Sequence, residues 1–99
     1  MSTTAERIRL RNPDRTKAGP NIEREKYDIV RQTILALVPK RAPGITWTGL
    51  RDAADKRLGT KLKGGHNWWY TTAVKLHLEA IGEIRRSRST TPQRLTRTK

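Results

Sequence analysis

Apolar positions in this chain recur at helical spacing in three stretches, and turn signals separate the stretches. Tyr27, Val30, Ile34, Leu37 and Val38 stand three, four or one apart, which predicts a first helix with one apolar face. Asn21 is placed to cap it, Glu23 and Glu25 suit the positive end of its dipole, and Pro39 stops it. Pro43-Gly44 marks a turn, after which Ile45-Thr46-Trp47 is a β-prone rung too short to stand without a later partner. Thr48 is the expected cap of a second, short helix whose stripe is Leu50, Ala53, Ala54 and Leu58, with Gly59 as its stop. Thr60 to His66 reads as a loop anchored by Leu62, and its Gly64-Gly65 pair permits either a sharp turn or close approach to a phosphate.

A third helix is predicted from Asn67, with Tyr70, Val74, Leu78 and Ile81 as its buried face and Gly82 at the C-terminal cap. Beyond it, residues 84–88 and 93–97 flank Ser89-Thr90-Thr91-Pro92 as two short strands around a turn. Ile84 points to the core, and Arg86 and Arg88 follow on the same face further out. The expected class is therefore mainly α with a small β-hairpin: three helices, a short strand and a C-terminal two-stranded element.

Composition sharpens this picture at the ends of the chain. Apolar residues make up 33% of 99 positions and the net charge is +13, a pairing that favours disorder when spread evenly. It is uneven: 27 of 33 apolar residues lie between Ile22 and Ile84. Residues 1–20 carry five Lys/Arg against two acids, residues 21–82 eleven against six, and residues 83–99 six against one. Residues 1–20 accordingly read as a flexible basic arm, 21–97 as one domain and 98–99 as a tail. Such a surplus of positive charge suits a polyanion or simply maintains solubility.

Little in the sequence points to other chemistry. With no cysteine there is no disulfide framework or thiolate metal site. Neither His66 nor His77 has the accompanying ligands a metal wants, so no metal and no cofactor are expected. His77 reads as a partly covered surface residue. No nucleophile, base and orienting acid assemble from a pattern, so the chain is not expected to be an enzyme. Asp52 and Asp55, beside Arg51, Lys56 and Arg57, suit surface ion pairs. No apolar run approaches the roughly 20 residues needed to span a bilayer, so no membrane association is expected and the cytoplasm is the expected location.

The order helix, short strand, helix, turn, helix, hairpin resembles the winged helix-turn-helix family. Leu78-Glu79-Ala80-Ile81-Gly82-Glu83-Ile84-Arg85 is similar to that family's junction between recognition helix and wing. The stretches WYTTAVKLHLEAIGEI and PQRL resemble a small, functionally uncharacterised bacterial group of such domains. The resemblance implies that the third helix, about 67–81, lies in a DNA major groove while wing 84–97 grips the backbone. Implied readers on that helix are Trp68 or Trp69, Thr71, Thr72 and Lys75. Arg85, Arg86, Arg88 and Arg94 would contact phosphates from the wing, and Lys61, Lys63 and His66 would meet the backbone ahead of the helix.

One of Trp68 and Trp69 is expected to belong to the core, closing over Trp47 or Leu62. The expected function is binding of double-stranded DNA by a transcriptional regulator or chromatin-type factor, nucleoid-associated in the cell and compatible with a homodimer on symmetric sites. Two alternatives stand beside it. One is a protein-interaction module of the same fold; the other is RNA or single-strand binding through tryptophans and basic tails.

Overall fold

A computed structural model of the chain describes residues 6–62, 64–87 and 93–98. Among these, three helices and two small antiparallel sheets share one core. The first sheet pairs β1 (Arg7–Arg9) with β2 (Asn21–Glu23), Ile8 opposite Ile22. For residues 6–20 the expectation of a flexible arm is thereby corrected. Hydrogen bonds from Arg24 N–H to the Glu6 carbonyl (2.7 Å) and from Leu10 N–H to the Pro20 carbonyl (2.8 Å) continue the pairing at both ends. Leu10 is 1% exposed and Ile22 3%; burying a side chain of this size is worth about 1.5–3 kcal/mol, enough to hold a short strand pair to the core.

Helix α1 (Arg24–Leu37) buries Tyr27, Val30 and Ile34 as its spacing requires, and Val38 follows them into the core. Its cap is Glu23, with no side-chain capping bond. Asn21 does not cap because it belongs to β2, where its Oδ1 accepts from Arg7 Nε (3.1 Å). After the turn at Pro43-Gly44, β3 (Ile45–Thr46) leads into α2 (Trp47–Leu58). The cap is Thr46 rather than Thr48: the helix starts as soon as the strand ends, and Thr46 Oγ1 accepts from Gly49 N–H (3.2 Å). Gly59, at φ +51°, stops α2 and donates its N–H to the Asp55 carbonyl.

Helix α3 (Asn67–Ala80) ends as Gly82 N–H reaches the Glu79 carbonyl (3.2 Å) and Glu83 N–H the Leu78 carbonyl (2.9 Å). This paired Schellman closure needs the left-handed φ of +82° that Gly82 supplies. Ile81 lies beyond the helix and is 38% exposed, so its expected place on the buried face is corrected. Strands β4 (Ile84–Arg86) and β5 (Arg94–Arg97) pair antiparallel, and β3 joins the other edge of β5 to give the order β3-β5-β4. Leu95, central in that sheet, opposes both Ile45 and Arg86 and is 2% exposed. Thr98, expected in a tail, donates to the Glu83 carbonyl through its N–H and to the Gly82 carbonyl through its hydroxyl. The core itself lies where the three helices meet, around Val30, Ile34, Leu50, Leu58, Val74 and Leu78.

Candidate nucleic-acid interface

The start of α3 is fixed to α2 by Asn67, whose Nδ2 donates to Asp55 Oδ1 and to the Gly59 carbonyl, both at 3.0 Å. Asp55 is thus an interhelical acceptor rather than one half of a surface ion pair. From this anchor the helix buries Thr71, Ala73, Val74, Lys75, His77 and Leu78, while Tyr70 packs at the edge of the core. Its outward strip carries Trp68, Trp69 and Thr72 exposed, with Leu76 half-buried and the Glu79 side chain largely covered. The strip has one formal charge, that of Glu79.

This geometry redraws the expected set of readers. Thr71 has no exposed surface and its hydroxyl donates to the Asn67 carbonyl (2.7 Å), so it reads nothing. Lys75 is likewise withdrawn: it is 7% exposed, its Nζ lies 2.9 Å from Glu79 Oε2, and it sits 5.1 Å from the Trp47 ring centre. Neither Trp68 nor Trp69 is a core residue; they are 51% and 50% exposed. Trp68 stacks under the Arg51 guanidinium at 4.1 Å, and Trp69 meets Tyr70 edge-on at 5.0 Å. Both contacts lie at the surface, where aromatic rings hold position without being engulfed. Thr72 is accessible: its hydroxyl donates to the Trp68 carbonyl (2.8 Å), which leaves its lone pairs and methyl outward.

On the sheet side of α3, Arg85 and Arg86 are exposed. Arg86 bends back to Glu79, 3.0 Å from Oε1, which makes Lys75, Glu79 and Arg86 one linked group between α3 and β4. Arg94 is half-buried and donates to the Gly44 carbonyl (3.2 Å), so it braces the turn after α1 more than it faces solvent. Lys61 and His66 are exposed ahead of the helix, His66 in a left-handed conformation at φ +64°. Lys63 and Arg88, and the turn from Ser89 to Pro92, lie outside the described residues.

The opposite side of α3 carries cations absent from the expected set. The chain between β1 and β2 folds over Ala73, His77 and Ala80, bringing exposed Arg9, Arg11, Arg15 and Lys17 alongside the helix. The sequence signal was present in Arg7-Ile8-Arg9-Leu10-Arg11, a strict alternation of basic and apolar residues that belongs to a strand.

Where this segment meets the helix, Arg11 N–H donates to His77 Nδ1 (2.9 Å), and the His77 ring lies edge-on to Tyr27 at 5.4 Å. His77 is buried at 6% exposure, which corrects its expected place at the surface. Burial first, and the Arg11 charge second, hold its pKa below the ordinary 6.5; Arg31 acts the same way and Glu83 opposes them. An unfolded chain therefore takes up a proton near that ordinary value while the folded protein does not. Stability from this residue is complete above about pH 6.5 and declines below it, with a limiting slope of about 1.4 kcal/mol per pH unit for one proton. Urea midpoints measured between about pH 7 and about pH 5 should fall more steeply for wild type than for His77→Gln. Parallel curves for the two proteins would remove His77 as the source.

Among the described residues there is no group of three or more His, Cys, Asp or Glu side chains that could hold a metal, and no helix is long and apolar enough to cross a membrane. A family model described only as a family of unknown function, DUF6958, matches residues 7–95. The chain belongs to that family. The DUF6958 match begins at the first residue of β1 and reaches into β5, so the segment ahead of α1 falls within the family unit together with the helices and the second sheet. No curated protein and no solved structure matches this DUF6958 chain.

Proposed function

We propose that the chain binds double-stranded DNA as a winged helix-turn-helix domain, with α3 entering the major groove and the β4–β5 hairpin as the wing. The reading is supported by the order α1, β3, α2, α3, β4, β5 and by the sheet order, in which the strand ahead of α2 pairs with the last strand. The observation that carries it is the distribution of exposed groups around α3. A nearly neutral strip of Trp68, Trp69, Thr72 and Leu76 has exposed cations on both flanks, Arg85 and Arg86 on one and Arg9, Arg11, Arg15 and Lys17 on the other. A duplex presents base edges to such a strip and phosphates to the cations beside it.

In this mechanism the flanks supply salt-dependent affinity by releasing counterions, and the strip supplies sequence preference. Thr72 packs its methyl on a thymine methyl or accepts from a base amine, and Trp69 sets the depth of entry. A transcriptional regulator or a chromatin-type factor both fit such a module, and a homodimer suits symmetric sites.

The logarithm of affinity for short duplexes should fall linearly with the logarithm of salt, at about −0.9 per neutralised phosphate. A flat dependence would rule the mechanism out. Arg85→Ala should weaken binding to every sequence alike and reduce the slope by about 1, whereas Thr72→Ala and Trp69→Ala should reorder the preferred sequences. A uniform loss from all three substitutions would remove α3 as the reader.

A second reading is favoured by one observation, that two adjacent tryptophans are half exposed beside Arg51. Such rings stack unpaired bases irrespective of sequence. Tighter binding to single strands than to duplexes of the same length, lost on Trp68→Ala, would select it.

A further inference from the structure

The strongest unassigned feature is the loop that joins β1 to β2. It is built rather than loose. Leu10 N–H donates to the Pro20 carbonyl at its base, and Arg11 N–H to His77 Nδ1. Within it, Asn12 Oδ1 accepts from Asp14 N–H (2.9 Å), and the Asp14 carboxylate accepts from the Thr16 N–H (3.0 Å) and hydroxyl (2.7 Å). Lys17 N–H closes the turn onto the Asp14 carbonyl (3.0 Å). Side chains on a fixed loop lose less freedom on binding than those of a disordered tail.

From Arg9 to Lys17 four cations stand against one acid, Asp14, which lies near enough to Lys17 for their charges to interact. Arg9, Arg11, Arg15 and Lys17 are exposed, line an open cleft of 640 Å³ against Glu79 and Ala80, and make no ion pair among the described residues. Asp14 does not line the cleft, and its carboxylate is engaged by Thr16. Glu79 does line it, but its carboxylate is bracketed by Lys75 and Arg86. A second cleft of 600 Å³ shares Pro13 and Glu79 with the first and is walled by Arg85, Arg86 and Gln93. Loop and wing therefore border one continuous trough across the C-terminal end of α3.

We propose that this trough is a track for a single nucleic-acid strand, whose successive phosphates pass from Arg9 at the end of β1 and Arg11, Arg15 and Lys17 on the loop to Arg85 and Arg86 on the wing. This rests on the duplex-DNA reading and adds a loop contact that the wing alone does not provide. The ligand is a polymer rather than a small anion because the cations form two walls of an open channel instead of converging on one point. Each DNA strand presents one negative charge per about 3.4 Å along its axis, which supplies charge along the whole channel.

The test uses the full chain with a short duplex of scrambled sequence. The variant R9Q/R11Q/R15Q/K17Q should bind at least about tenfold more weakly and lose about 2 to 4 units of salt slope, at about 0.9 per lost phosphate. R9K/R11K/R15K, which keeps the charge, should retain the wild-type slope; a loss there equal to the glutamine variant's would assign the effect to altered folding and overturn the proposal. Phosphate-ethylation interference should show the loop variant and R85Q/R86Q losing adjoining positions on one strand. Loop losses on the opposite strand, or none while R85Q/R86Q still loses its own, would overturn the single track and leave the duplex reading intact. Binding by wild type with no salt dependence would overturn both.

Discussion

Gly19→Ala is expected to destabilise the protein by about 2–5 kcal/mol, the range for emptying a buried leucine site. A methyl at position 19 would lie 1.9 Å from the Leu10 carbonyl oxygen, 2.5 Å from its carbon and 3.2 Å from the Arg11 nitrogen. All three are backbone atoms, so no side-chain rotation relieves the clash. The chain crossing must open, which breaks the Leu10-to-Pro20 hydrogen bond and draws Leu10 out of the core. For a domain of this size each 1 kcal/mol lowers Tm by about 4–8 °C, so the loss is large in a thermal melt. Gly64→Ala provides the contrast: nothing lies within 4 Å of the added methyl, and only the positive φ of +89° opposes it, at about 1 kcal/mol. Equal melting of Gly19→Ala and wild type would show that the loop crossing contributes nothing to the fold.

Glu79→Gln is the second large expected effect, and it should act on stability and on the proposed duplex binding in opposite directions. The Glu79 and Lys75 side chains are each 9% exposed, and the carboxylate holds Lys75 at 2.9 Å and Arg86 at 3.0 Å. Neutralising it leaves the Lys75 ammonium under cover with a neutral amide and the Trp47 face in place of its counter-charge, and removing one charge of a buried pair costs up to about 3–5 kcal/mol. The same change removes the carboxylate that lines both clefts and releases Arg86, so binding to duplex DNA should tighten and its salt slope steepen by about 1. Denaturation and binding isotherms taken below the transition separate the two effects. Unchanged stability would show that Lys75 does not depend on this partner, and weaker DNA binding would count against the trough.

Much of the helical frame was legible in the chain. Tyr27, Val30 and Ile34 fixed the inward face of α1, Leu50, Ala54 and Leu58 that of α2, and Gly82 the end of α3, because each is set by local periodicity or by a required φ. The unpaired Ile45-Thr46 rung found its partner in β5, as its brevity demanded. Periodicity fails where a second covering element arrives from far away in the sequence. On α3 the loop between β1 and β2 covers Ala73 and His77, which widens the buried arc beyond the stripe of Tyr70, Val74 and Leu78.

The site residues follow the same division. Thr71 and Lys75 lie at the edge of the stripe, where spacing alone does not tell a reader from a packed residue; the Asn67 carbonyl and Glu79 decide it. Size alone sends one of Trp68 and Trp69 inward, but Arg51 and Tyr70 give both surface positions. The loop cations read as charge on a flexible arm, because basic composition obscures the alternation of Arg7 to Arg11.

The order β3-β5-β4 has a consequence for how the domain is made. Its central strand is the last of the three in the chain, and neither β3 nor β4 pairs with the other. During synthesis, the edge of β3 stays open while α2 and α3 are produced, and it closes only when Leu95 emerges some fifty residues later. The helices form from near neighbours, but the sheet must wait for a distant partner. Stalling the ribosome before β5 should therefore yield a helical nascent chain with two unmatched strand edges, a form exposed to proteases and to association with its own copies.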